Sequence, residues 1–166
     1  MNNPGSKTDY LRQGNHRLLK EREHDPYHSK RKLKEPAVCP ECGAIYHKGR
    51  WQWGEAPAGA QETRCPACRR MADRVPAAFL SIRGDFYPRH RAEIEALIRN
   101  LEEREKQEHP LKRIMAVEEK EGEVLYSFTD AHLARGVGEA LHNAYEGELE
   151  YRYTDEDILL RVRWQR

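Results

Sequence analysis

The chain has 166 residues, 38% hydrophobic and 34% charged, with a formal net charge of +1. That balance excludes the core of a large enzyme, and each apolar residue on a periodic face must count towards a small one. No uncharged apolar run approaches the roughly 18 to 20 residues that span a bilayer, and the opening residues hold no signal-length apolar stretch, so a soluble, cytoplasmic protein is expected.

The near-neutral total hides an uneven distribution. Residues 1–35 carry nine Lys/Arg against five Asp/Glu and residues 36–75 carry six against four, whereas the rest carry fourteen against nineteen, giving nets of +4, +2 and −5. A basic front suits a polyanion, and it equally suits a solvated tail. Residues 1–35 have too few apolar positions to offset the entropy of ordering and are expected to form a disordered basic arm. Leu11, Leu18 and Leu19 leave room for a short helix near residues 15–23 that forms on a partner.

Residues 36–75 hold all four cysteines, as Cys39-Pro-Glu-Cys42-Gly and Cys65-Pro-Ala-Cys68-Arg, with 22 residues between Cys42 and Cys65. Two CxxC knuckles around a hairpin-sized insert place four soft thiolates in a tetrahedron, with Pro preforming each turn and Gly43 letting the chain swing so that backbone N–H groups point at sulfur. The expectation is a zinc ribbon with one structural Zn²⁺ on Cys39, Cys42, Cys65 and Cys68. An iron–sulfur centre or a pair of redox dithiols is the rival account, and without an export signal two disulfides are not favoured. A complete Cys₄ shell leaves no position for water or substrate, which argues against catalysis at the metal and against a ligand role for His47.

Between the knuckles, Lys48, Arg50, Trp51 and Trp53 combine cations with aromatic rings, and Arg64, Arg69, Arg70 and Arg74 surround the second pair. Such a strip suits RNA, because cations meet phosphates and exposed rings stack on unpaired bases. The plainer alternatives are that at least one Trp ring is ribbon core and that the arginines pair with Glu41, Glu62 and the acidic rear half.

Residues 76–166 read as an α+β domain. Phe79, Leu80 and Ile82 make a strand ended by Gly84-Asp85. From Pro88 to about His109 a helix carries Ile94, Leu97, Ile98 and Leu101 on one stripe, and Pro110 stops it. Residues 114–118 and 123–128 form a hairpin about Gly122. Thr129 is the expected N-cap of a second helix, Asp130 suits its dipole, Leu133, Val137 and Leu141 form its stripe, and Gly147 its C-cap. Two strands follow, alternating at Leu149, Tyr151, Tyr153 and at Ile158, Leu160, Val162, Trp164, with a turn at residues 154–157 and Glu148 and Glu150 facing Arg161 and Arg163. The order β-α-β-β-α-β-β predicts two helices on one face of an antiparallel sheet, a ferredoxin-like split β-α-β with an added strand.

No catalytic set stands out. There is no GxxxxGK[ST], Gly136-Val137-Gly138 lies inside a helix, and Ser127, Asp130 and His132 lack a nucleophile-elbow context. The acidic pairs at Glu118-Glu119 and Asp155-Glu156-Asp157 read as solvated turns. The expectation is a protein that is not an enzyme.

The residues 39–51, CPECGAIYHKGRW, the second knuckle, and YSFTDAHLAR at residues 126–135 together resemble the amino-terminal zinc-ribbon region of the archaeal and eukaryotic large-ribosomal-subunit export adaptor family, which has short bacterial relatives. In that family the zinc region and the α/β region after it bind the large subunit, so the resemblance implies RNA or ribosome contact. The larger relatives carry further CxxC pairs and further domains, so nuclear export does not carry over; only the four cysteines transfer residue by residue. The expected function is therefore non-enzymatic binding of RNA or the large ribosomal subunit. The alternative is a protein–protein adaptor whose sheet presents Tyr151, Tyr153 and Trp164.

Overall fold

A computed structural model describes Tyr27, residues 32–153 and residues 159–166. Most of the expected arm and the 154–157 turn lie outside the described residues. Those described form a small four-stranded sheet carrying the cysteines and a five-stranded sheet covered by helices.

The small sheet has strands β1 (Ala37–Val38), β2 (Ile45–His47), β3 (Arg50–Gln52) and β4 (Gln61–Glu62) in the order β3-β2-β1-β4, with β1 and β4 parallel. Lys48 (φ 51°) and Gly49 (φ 76°) make the two-residue turn between β2 and β3, where left-handed backbone is required of both positions. The Glu35 carboxylate accepts both of their N–H groups at 2.9 Å, so the last residue of the basic segment belongs to the ribbon. The second knuckle opens helix α1 (Pro66–Asp73): Cys65 is its N-cap, with Sγ accepting the Cys68 N–H, and Pro66 fills the first turn, where a missing N–H costs nothing.

The larger sheet follows β5 (Ala78–Arg83), α2 (Phe86–Arg89), α3 (Arg91–Glu108), β6 (Ile114–Lys120), β7 (Glu123–Phe128), α4 (Ala131–Tyr145), β8 (Glu148–Tyr153) and β9 (Leu160–Gln165). Its strand order is β6-β7-β5-β9-β8. Three of the neighbouring pairs are antiparallel, but β5 and β9 run parallel, so the sheet is mixed and not antiparallel throughout as expected. The added pair closes around the domain to set β9 beside β5, leaving β8 at the edge.

Alternation does what the sequence demands. Ala78, Leu80 and Ile82 of β5, Val124, Tyr126 and Phe128 of β7, and Leu160, Val162 and Trp164 of β9 are buried against Ile94 and Ile98 of α3 and Leu133, Val137 and Leu141 of α4. Gly138 lets α4 approach, since a Cβ there would lie 2.7 Å from Val162 Cγ1. The other face keeps Phe79, Leu125 and Ser127 half-buried and Arg161 and Arg163 exposed.

Four details depart from expectation. The first helix breaks at His90 into α2 and α3. The N-cap of α4 is Asp130, whose Oδ1 accepts the Leu133 N–H at 2.8 Å, while Thr129 is buried and engaged elsewhere. Trp164 is fully buried, its Nε1 donating to Glu146 O at 2.7 Å, so it cannot rim a docking surface. In the last hairpin Glu150 does face Arg163, but Arg161 faces Arg152 and Glu148 faces Gln165.

Candidate metal centre and the basic hairpin beside it

Cys39 and Cys42 flank the turn between β1 and β2, and Cys65 and Cys68 open α1, so each knuckle leaves a short strand and presents both sulfurs to one point. All four Sγ atoms lie within 4.8 Å of one another. Cys42 Sγ and Cys65 Sγ are 3.8 Å apart, the edge of a tetrahedron with metal–sulfur bonds of about 2.3 Å. The four cysteines can hold one metal ion, and a set of four thiolates suits a soft or borderline cation. Cys39, Cys65 and Cys68 are buried with Ala44 and Ala67, and Trp51 and Leu111 pack against them. So few apolar groups cannot hold a module together unaided.

Backbone N–H groups aim at the sulfurs as the turn chemistry requires: Cys65 N–H lies 3.3 Å from Cys39 Sγ and Cys68 N–H 3.4 Å from Cys65 Sγ. Burial opposes ionisation of Cys39, but N–H groups of Cys65, Cys42 and Glu41 outweigh it and bring its pKa down to about 7. Burial pushes the Cys65 thiol up, and Cys68 likewise, the latter opposed by the guanidinium of Arg113.

Arg113 is the residue the sequence did not disclose. It comes from the loop joining α3 to β6 and is only 8% exposed. Its two terminal nitrogens reach Cys68 Sγ at 3.3 Å and Cys65 Sγ at 3.7 Å, and its Nε donates to Pro110 O at 2.8 Å. Its backbone N–H donates to Thr129 Oγ1 at 2.9 Å, while the Thr129 hydroxyl donates to Leu111 O at 2.6 Å. The residue expected to cap α4 instead pins the loop that delivers the cation. Four thiolates around a divalent ion carry a net charge of about −2, and one buried guanidinium offsets half of it. In sequence, Arg113 is one more basic residue after a proline; the only clue was that a buried anionic centre needs a counter-charge.

The aromatic and basic residues named from sequence divide into groups. Trp51 is half-buried against the cysteine cluster, its ring tilted on Tyr46 with centroids 5.4 Å apart. Trp53 is 38% exposed, and its Nε1 donates at 2.6 Å to Lys106 O in the last turn of α3, where helical carbonyls lack intrahelical partners. Arg70 is buried, donates to Val75 O at 3.2 Å and stacks over the Tyr27 ring at 4.3 Å, so it is not available to a ligand. Arg64 pairs with Glu41. Arg69 is half-buried and donates through Nε to Arg64 O at 3.2 Å. Arg74 is exposed in left-handed backbone just past α1. Lys48 and Arg50 are exposed at the hairpin tip. His47 is exposed too, away from any ligand role.

No protein-family model, curated protein or solved structure matches the chain. No helix among the described residues is long and apolar enough to cross a membrane.

Proposed function

We propose that this chain is a non-enzymatic zinc-ribbon protein that binds RNA, with the large ribosomal subunit as its RNA. The metal is Zn²⁺, held by Cys39, Cys42, Cys65 and Cys68 with no position left for a reactant, so it acts by holding the hairpin and α1 in place. The observation that carries the reading is the ribbon surface. Lys48, Arg50, Arg64, Arg69 and Arg74 gather on the small sheet and α1, and the side chains of Lys48 and Arg50 meet no carboxylate among the described residues. The position of β7 between β5 and β6 supports reading the domain behind the ribbon as a split β-α-β of ferredoxin-like kind.

Sedimentation of cell extract on a sucrose gradient, with and without ribonuclease, tests the reading. Co-migration with the large subunit is expected. Purified protein should bind RNA with an affinity that falls steeply with salt, and Lys48→Ala with Arg50→Ala should reduce the log–log slope by about 1 to 2 units. An affinity indifferent to salt would overturn it. The rival, a protein–protein adaptor, is favoured by a different feature, the sheet face that no helix among the described residues covers, with half-buried Phe79 and Leu125. Under that rival, co-purifying partners survive ribonuclease.

A further inference from the structure

A cleft of about 350 Å³ lies where the β2–β3 hairpin and α1 meet the loop that carries Arg113. Tyr27, Tyr46 and Trp51 line it together with Arg50, Arg69 and Lys112. Its volume is at the small end of ligand sites, about that of one nucleotide and too small for a folded partner.

The lining has two parts with different chemistry. Tyr46 and Trp51 face one another across β2 and β3, so their rings share one side of the hairpin, whereas the Tyr27 ring at the rim already lies under the Arg70 guanidinium. Flat π surfaces accept any base by stacking. The cations are not equivalent. Lys112 Nζ is held by Glu105 at 2.8 Å, which largely neutralises it. Arg50 has no acceptor among the described residues, and Arg69 uses only Nε, on Arg64 O, which leaves its terminal nitrogens. Asp130 is the one carboxylate among the described lining residues, and its Oδ1 already accepts the Leu133 N–H. Two guanidinium groups with donors to spare, beside the tilted Tyr46 and Trp51 rings, match a phosphate joined to a planar base.

We propose that this cleft takes one nucleotide, its base against Tyr46 and Trp51 and its phosphate on Arg50 and Arg69. This rests on the RNA-binding reading and sharpens it, because a base must be unpaired to enter: in an A-form duplex the bases are stacked inside and the faces are hidden. A free mononucleotide and a single-stranded segment of RNA offer the same chemistry.

The test uses the full chain loaded with zinc. Calorimetry measures a single-stranded oligoribonucleotide of about eight residues, the same sequence as a duplex, adenosine 5′-monophosphate, and an oligoglutamate peptide. The single strand should bind about tenfold or more tighter than the duplex. Tyr46→Leu should bring that ratio close to one, and Arg50→Ala with Arg69→Ala should weaken the single strand about tenfold. Arg152→Ala with Arg161→Ala, on the far strands, is the control and should leave affinity within about twofold. Trp51 is left intact because it packs on the cysteines, and zinc content checks that each variant is folded. Competition by the mononucleotide identifies a free nucleotide as ligand; its failure identifies a strand. Equal affinity for single strand and duplex, unmoved by Tyr46→Leu, overturns the cleft while leaving RNA binding intact. No binding of either RNA form removes both. Binding of oligoglutamate as tight as that of the single strand also overturns the proposal, since charge alone would then suffice.

Discussion

At the scale of single residues, the molecule turns on a buried arginine. Arg113 binds two sulfurs, a carbonyl and a hydroxyl-pinned loop, and leaving any buried charge of this kind unpaired costs about 3 to 5 kcal/mol. Arg113→Met is expected to weaken metal binding about 10- to 100-fold, the range seen when groups bonded to metal ligands are lost, while Arg113→Lys recovers part of it. Transfer of zinc to a chromophoric chelator measures the change. A second residue contributes to acid behaviour. Glu123 accepts from Ser81 Oγ, and from Arg83 at 3.0 Å, and these contacts hold its carboxyl below the ordinary value. A depressed folded-state pKa adds stability above the unfolded pKa of about 4.3 and loses it as pH falls through the lower folded value. Glu123→Gln should therefore cost up to about 1 kcal/mol near neutrality and nothing in strong acid, giving a shallower acid limb in thermal melts between about pH 5 and 3. The four cysteines were legible because ligand identity and spacing are local. Arg113 was not, because its relation to Cys68 spans 45 positions of chain and depends on how the domain folds over the ribbon.

At the scale of elements, periodicity carried most of the information. The stripe through Ile94, Leu97, Ile98 and Leu101 became α3, and the alternation through Leu160, Val162 and Trp164 became β9. What periodicity does not encode is register against neighbours. It could not separate Thr129 from Asp130 as the cap of α4, nor foresee that an alternating Trp164 would sit under a helix. Gly136-Val137-Gly138 reads as an ordinary helical stretch, yet the second glycine is a point of close approach. Gly138→Ala gains helix propensity but presses a methyl against Val162 Cγ1 and Leu149 Cδ1, at 2.7 and 3.1 Å. Overpacking of this size costs about 1 to 3 kcal/mol, more than the propensity gain of about 1 kcal/mol, so the variant should melt lower. Gly136→Ala meets nothing within 4 Å and is the matched control, expected to melt at or above the wild type.

At the scale of the whole molecule, the described residues tie the ribbon to the α+β domain through Arg113 on the cysteines, Leu111 packed against them, and the Trp53 indole on the end of α3. The sequence suggested two modules divided near residue 75 and gave no sign of these ties, which join residues far apart in the chain. Stripping the metal with a chelator should unfold the ribbon, leave Arg113 facing an unbound cluster, and lower the melting temperature of the remaining sheet by about 4 to 8 °C per kcal/mol lost. Circular dichroism before and after readdition of zinc measures it. An unchanged melt of the large sheet would show that the two parts are thermally independent.

The parallel pairing of β5 with β9 bears on the order in which the chain can be completed. The strand at residues 78–83 waits for residues 160–165, so its central position is filled only when nearly all of the α+β sequence has emerged from synthesis. Until then Leu80 and Ile82 belong to an edge with open N–H and C=O groups, and such an edge pairs readily with other chains. For a nascent chain, β9 is the strand that converts a sticky sheet margin into an interior, and a stop anywhere before Leu160 leaves that margin bare.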